Sequence, residues 1–302
     1  MSSQSSFLNP QASILEAAIS AATGAPFRVA SARPVSGGCI HASFALEDGG
    51  GRRYFAKTND AAHADNFAAE ADGLRALAGA GQRVPAVIAQ GRVENVAYLV
   101  LEHLALREGN AAEHRESGRR LARMHATAVG AEFGWHRANF IGATPQRNGR
   151  SPNWIEFWDE QRLAPQLAMA AARGFGALQS LGERVRAALP RLLAGHVPRP
   201  SLLHGDLWSG NAAFLDTGEP VLFDPAVYHG DRETDLAMTE LFGGFPRAFY
   251  DGYREIAPID AGYTARRDLY NLYHVLNHAN LFGGGYAQQA ERMMERLLAA
   301  AR

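Results

Sequence analysis

The chain has 302 residues, 47% hydrophobic and 20% charged, and its 31 acidic against 30 basic residues give a net charge of −1. That composition supplies enough apolar surface for about two domains or lobes and excludes a disordered chain. The charge balance removes the electrostatic case for a nucleic-acid or anionic-membrane binder, and the single cysteine excludes a disulfide-stapled scaffold. The opening MSSQSSFLNP has no basic or apolar leader region. No run approaches the ~18 consecutive apolar residues of a membrane span, so a soluble cytoplasmic protein is expected.

In chain order, residues 10–23 carry apolar positions at helical spacing and stop at Gly24. Short strand-like runs follow at 27–30, 40–46 and 52–58, separated by glycine clusters at 37–38 and 49–51. A helix is expected over 63–79, then strands over 85–90 and 96–101. After Leu104 the pattern becomes helical at 116–128, 153–172 and 180–194. A strand–turn–strand unit spans 212–215 and 221–224. Helices are expected over 231–242, 246–255, 264–282 and 287–301. The layout predicts an α+β fold with two lobes: a small β-rich lobe over 1–104 and a larger helical lobe over 105–302.

The strongest local signal is His204-Gly205-Asp206-Leu207-Trp208-Ser209-Gly210-Asn211, followed by Asp224 at the end of a strand. The D-x-x-x-x-N spacing is that of a protein-kinase catalytic loop, in which the Asp receives the acceptor hydroxyl proton and the Asn holds Mg²⁺. A second Asp after the next strand pair suits the same hard cation, which takes oxygen ligands and few protein carboxylates. The spacing alone also fits an ordinary Asp/Asn turn; the preceding His-Gly and the later Phe-Asp-Pro favour the catalytic reading.

A phosphate-binding lysine is then expected on a strand of the small lobe. Lys57, in Tyr54-Phe55-Ala56-Lys57-Thr58, is the only lysine among the 30 basic residues. Glu70, thirteen residues on, is the expected helix partner, with Asp65 and Asp72 as rivals. Gly37, Gly38 and Cys39 sit in a turn whose backbone N–H groups suit phosphate oxygens. Glu102, His103 and Leu104 lie where a kinase hinge presents backbone groups to adenine.

Together these residues carry a resemblance. The motifs GGCI (37–40), FAKTN (55–59), LEHL (101–104), NFIG (139–142), HGDLWSGN (204–211), FDPA (223–226), DLAMTELFGGF (235–245) and YNLYHVLNH (270–278) resemble those of the fructosamine/ketosamine-3-kinase family. That family is similar in fold to aminoglycoside phosphotransferases and protein kinases. The resemblance implies ATP- and Mg²⁺-dependent phosphorylation of the 3-hydroxyl of ketosamines on glycated amines or proteins, whose unstable 3-phosphate releases the amine. By position it implies Asp206 as catalytic base, Asn211 and Asp224 as metal ligands, and Lys57 as phosphate ligand. It implies Glu102, His103 and Leu104 as the adenine site. The expected partner is a free or protein-bound ketosamine. Competing readings are an aminoglycoside or amino-alcohol phosphotransferase and a nucleotide-binding pseudokinase; the intact set Lys57, Asp206, Asn211 and Asp224 speaks against the last.

One departure stands out. The family often has His where this chain has Asp231 in Tyr228-His229-Gly230-Asp231-Arg232-Glu233, so Asp231 is read as a substrate or loop contact. Trp208 is read as either a sugar-stacking ring or a rim aromatic. His204 and Asp235 are read as structural braces of the catalytic loop. Trp154, Phe157 and Trp158 are read as core. His274 and His278 have i, i+4 spacing but no third ligand nearby in sequence. A monomer is expected, with an oxidation-linked dimer through Cys39 as a hypothesis.

Overall fold

The computed structural model describes residues 11–35 and 41–302. The chain opens with α1 (Gln11–Thr23), then β1 (Val29–Pro34), β2 (Ala42–Asp48) and β3 (Arg53–Asp60). Helix α2 (Ala64–Gly79) precedes β4 (Val87–Val93) and β5 (Val96–Glu102). These five strands form one antiparallel sheet in the order β1-β2-β3-β5-β4.

Alternation along β3 and β5 gives this sheet two different faces. Ala56 and Val100 point to one side and pack with Leu15 and Ile19 of α1 in a small core of their own. Phe55, Leu99 and Leu101 point to the other side and join α2 in a core that continues into the helical half of the molecule. Lys57 shares that second face, opposite Leu99. The two-residue period therefore turns its ammonium inward, toward the space between sheet and helices.

After β5 the chain runs without a regular element to α3 (Ala111–Thr127). Asn110 and Glu113 close the start of α3 with reciprocal side-chain-to-backbone hydrogen bonds. Then come β6 (Asn139–Ile141), β7 (Thr144–Gln146), α4 (Trp154–Trp158), α5 (Ala164–Ala172) and α6 (Gly176–Leu192). Short strands β8 (Ser201–Leu203), β9 (Ala212–Phe214), β10 (Pro220–Leu222) and β11 (Tyr228–Gly230) pair as β6-β7, β8-β11 and β9-β10. Helices α7 (Glu233–Leu241), α8 (Arg247–Ile256), α9 (Tyr263–Phe282) and α10 (Gly285–Ala300) complete the chain. The result is the expected α+β, two-lobed architecture.

The sequence reading placed the sheet, α2 and the C-terminal helices, but began α3 five residues late. It ran 153–172 as one helix, where a wider turn over 159–163 joins α4 to α5. It missed β6, β7, β8 and β11, each three residues long. Trp154, Phe157 and Trp158 are buried in the core. Among the described residues no helix is long and apolar enough to cross a membrane.

Candidate active site

The candidate catalytic loop, residues 204–211, lies between β8 and β9, and its backbone is held from below. Asp235 on α7 is buried, and its carboxylate accepts the N–H of His204 at 2.8 Å and of Gly205 at 2.9 Å. His125 of α3 adds a third bond to the same carboxylate at 3.1 Å, and its other ring nitrogen meets the Tyr253 hydroxyl at 2.8 Å. Burial alone would raise the Asp235 carboxyl; the bond from His125 and the N–H donors outweigh it and hold the group below its ordinary range.

His204 links this loop to the segment carrying Asp224. Its Nε2–H donates to the Phe223 carbonyl at 3.0 Å, and its Nδ1 accepts the Asp206 N–H at 3.3 Å. Burial pushes its pKa down, which suits that neutral tautomer. Gly205 makes the approach possible: it has φ +82°, and a Cβ there would stand 2.1 Å from the Ala226 carbonyl oxygen. The Ala226 N–H closes the same contact onto the His204 carbonyl at 2.9 Å.

Above this floor, Asn211 Nδ2 donates to the Asp206 carbonyl at 2.8 Å and to its Oδ2 at 3.3 Å. Burial and the nearby Asp224 charge push the Asp206 carboxyl up to about 7. Asp224 itself takes a left-handed backbone, φ +55°, a strained conformation of the kind that collects at functional sites. Its carboxylate is 47% exposed and accepts from Lys57 Nζ at 2.5 Å. Lys57 also donates to Glu70 at 2.8 Å. Burial disfavours the ammonium, but the two carboxylates overcome it and raise its pKa. Burial likewise opposes charge on Asp224, and Lys57 reverses that and lowers it.

The rivals of Glu70 are engaged elsewhere: Asp65 pairs with Arg137 at 2.7 Å, and Asp72 accepts from Trp135 Nε1 at 2.7 Å. The Glu102 carboxylate is taken up by Arg83 at 2.7 and 2.8 Å, and its N–H by the Ala86 carbonyl at 2.8 Å. Gly37, Gly38 and Cys39 lie outside the described residues, and with them the Cys39 hypothesis.

Asp231 requires a correction. It is 1% exposed and accepts from His196 Nε2 at 2.5 Å, the Tyr270 hydroxyl at 2.5 Å and the Glu233 N–H at 3.0 Å. A carboxylate so partnered has no face for substrate; it ties β11 to α9. His196, Asp231 and Glu233 also form a three-residue group of metal-ligand type, but Glu233 already pairs with Arg266 at 2.7 and 2.8 Å. Trp208 is on the rim, 38% exposed. His274 is buried and its pKa is pushed down to about 3 by that burial and by His278.

Sequence reading missed three residues that set this geometry. His125 is one. Asn139 and Gln146 are the others: they donate to the carbonyls of Val227 at 2.7 Å and Ala226 at 3.2 Å, just beyond Asp224. The NFIG motif was the signal for Asn139; Gln146 and His125 had none.

The family model for fructosamine kinase matches residues 12–300. A probable ketoamine kinase of Synechocystis sp. is 50% identical over 283 residues, 93% of this chain and 94% of the relative. The chain belongs to the fructosamine kinase family. It is therefore a kinase. The chloroplastic protein-ribulosamine 3-kinase of Arabidopsis thaliana is another relative, 41% identical over 269 residues, 87% of this chain and 81% of that one. A crystal structure of a fructosamine-3-kinase-type protein from Haemophilus somnus superposes with TM-score 0.86 at 27% identity, covering 94% of this chain and 96% of that one. An aminoglycoside phosphotransferase bound to AMP-PNP and hygromycin B superposes with TM-score 0.60 at 18% identity, covering 95% and 98%, a likeness of fold alone.

Proposed function

We propose that this fructosamine kinase family member uses ATP to phosphorylate the 3-hydroxyl of a ketosamine, with Asp206 as the base. Family membership makes it a ketosamine kinase in the broad sense; the residue roles, the nucleotide and the metal are our reading. The observation that carries it is the linkage of Asp206 to Asn211 and of Asp224 to Lys57 across the two lobes, the two pairs joined by the Phe223 N–H on the Asn211 carbonyl at 3.1 Å.

The donor set fits Mg²⁺. Asn211 commits its Nδ2 to Asp206, leaving its side-chain oxygen for a cation, and Asp224 presents a half-exposed carboxylate beside it. Hard oxygen donors of this kind, few in number, suit a metal that keeps phosphate and water oxygens in its shell. When bound there, Mg²⁺ would offset negative charge on the phosphates.

The protein's own steps follow from the geometry. Asp206 accepts the proton of the 3-hydroxyl as that oxygen attacks the γ-phosphorus and ADP leaves. Its raised pKa places a base of useful strength at neutral pH. Lys57 moves from Asp224 onto the nucleotide phosphates while Glu70 keeps its bond to Nζ. The 3-phosphate formed is unstable, and its loss releases the amine, which amounts to deglycation.

The test is ADP release on adding ATP, Mg²⁺ and a ribulosamine, an erythrulosamine or a fructosamine, with kcat/KM for each. Turnover of ketosamines is expected. No turnover across that panel, with turnover of an aminoglycoside, would overturn the reading.

A further inference from the structure

The catalytic loop opens onto a row of aromatic rings that the phosphoryl chemistry does not use. Trp208, two residues past Asp206, meets Phe242 edge-on with centroids 6.4 Å apart. Phe242 lies 4.8 Å from His278, which lies 5.6 Å from Phe282 and 5.1 Å from Tyr286. Phe282 and Tyr286 are 6.3 Å apart. The row thus crosses from the catalytic loop over the end of α7 to the junction of α9 and α10.

The two ends of the row are exposed, while Phe242, His278 and Tyr286 between them are partly buried. Trp208 is 38% exposed and Phe282 61% exposed; among the large hydrophobic side chains exposed in the described residues, these two alone are aromatic. Phe242 and Phe282 each precede a pair of glycines with positive φ, Gly243-Gly244 and Gly283-Gly284. The helices end there, and both rings sit at the reversals. A continuous row of ring contacts, exposed at both ends and starting beside Asp206, marks a ligand surface rather than leftover core.

We propose that this row binds the amine-side substituent of the ketosamine: the protonated secondary amine and the alkyl stem it carries. The inference rests on the reading that Asp206 takes the 3-hydroxyl proton. In a ketosamine the nitrogen is on C1, only two carbons from the reacting C3, so the substituent leaves the site close to Asp206, where Trp208 stands. The nitrogen is a cation, and aromatic faces attract cations through their quadrupole. The stem is apolar and leaves water on meeting ring surface. Continuity with the catalytic loop and this charge complementarity together select an alkylammonium such as a glycated lysine side chain.

The experiment compares two ketosamines of one sugar, built on methylamine and on an Nα-blocked lysine. The wild-type enzyme is expected to favour the lysine compound in kcat/KM. Phe282→Ala should lower that preference by about threefold to fivefold, the scale of one stem methylene leaving water against a ring. Tyr286→Leu should lower it to a similar degree, with the ATP KM of both variants as in wild type. Phe282 projects into solvent, so its truncation removes little packing. An unchanged preference in both variants, or no preference in the wild type, overturns the inference. A KM raised equally for both substrates also overturns it, since the row would then serve the sugar. If the wild type turns over neither compound, the kinase reading itself fails, and the inference with it.

Discussion

In the helical lobe, the loop carrying Asp206 is fastened by buried neighbours of the same lobe: Asp235 takes the N–H groups of His204 and Gly205, and His125 and Tyr253 fix Asp235 in turn. In the sheet lobe, Lys57 is held between Glu70 of its own lobe and Asp224 of the other. The first arrangement is buried and every donor in it has its acceptor. The second has a half-exposed member, Asp224, whose pairing with Lys57 the proposed mechanism exchanges for phosphate oxygens. A base needs its position before substrate binds, because misplacement costs rate directly. A phosphate ligand can be parked on a carboxylate and released to the nucleotide, because the incoming anion replaces the charge it loses. The contrast separates a preorganised half-site from one completed by its ligand.

Three substitutions probe that contrast, in falling order of effect. Asp224→Ala removes both the proposed metal ligand and the parking place of Lys57. Activity should fall by roughly 10³-fold or more, the scale of lost metal charge stabilisation, and Mg²⁺-dependent ATP affinity in calorimetry should vanish. Retained Mg²⁺-dependent affinity would contradict the metal role. Lys57→Arg keeps the charge but replaces a compact ammonium with a planar fork in a space shaped by Glu70 at 2.8 Å and Asp224 at 2.5 Å. A loss of about 10²-fold in kcat/KM for ATP is expected, comparable to removing one phosphate-directed donor. Full activity would return the lone lysine to compositional coincidence.

Asp235→Asn should act differently from both. It keeps an acceptor for one loop N–H but loses the charge that the buried donors meet. We expect kcat to fall about tenfold through loop misplacement, with ATP KM near wild type and denaturant stability lower by about 2–3 kcal/mol. A change in ATP KM with kcat intact would show that the two half-sites are not separable in this way.

How much of this was legible in the sequence follows the range of each interaction. Asp206, Asn211 and Asp224 lie within one loop and its following strand pair, and Lys57 and Glu70 within one strand–helix unit, so spacing exposed all five. His125 and Tyr253 meet across 128 residues, and neither has a local signature. Strands β8 and β11 are three residues each and exist because they pair with one another across the intervening residues 204–227; no period shows in so short a run. The start of α3 was legible and overlooked: Asn110-x-x-Glu113 is a capping pattern. Asp231 misled because an unusual residue in a motif looks functional, whereas its partners His196 and Tyr270 come from distant segments.

The account stands most directly on Asp206→Asn, measured for ketosamine phosphorylation and for ATP binding on the same preparation. Removing the carboxylate proposed to accept the hydroxyl proton should lower kcat by roughly 10³-fold, while ATP affinity in the presence of Mg²⁺ stays near wild type. A kcat close to that of the wild type would contradict the account.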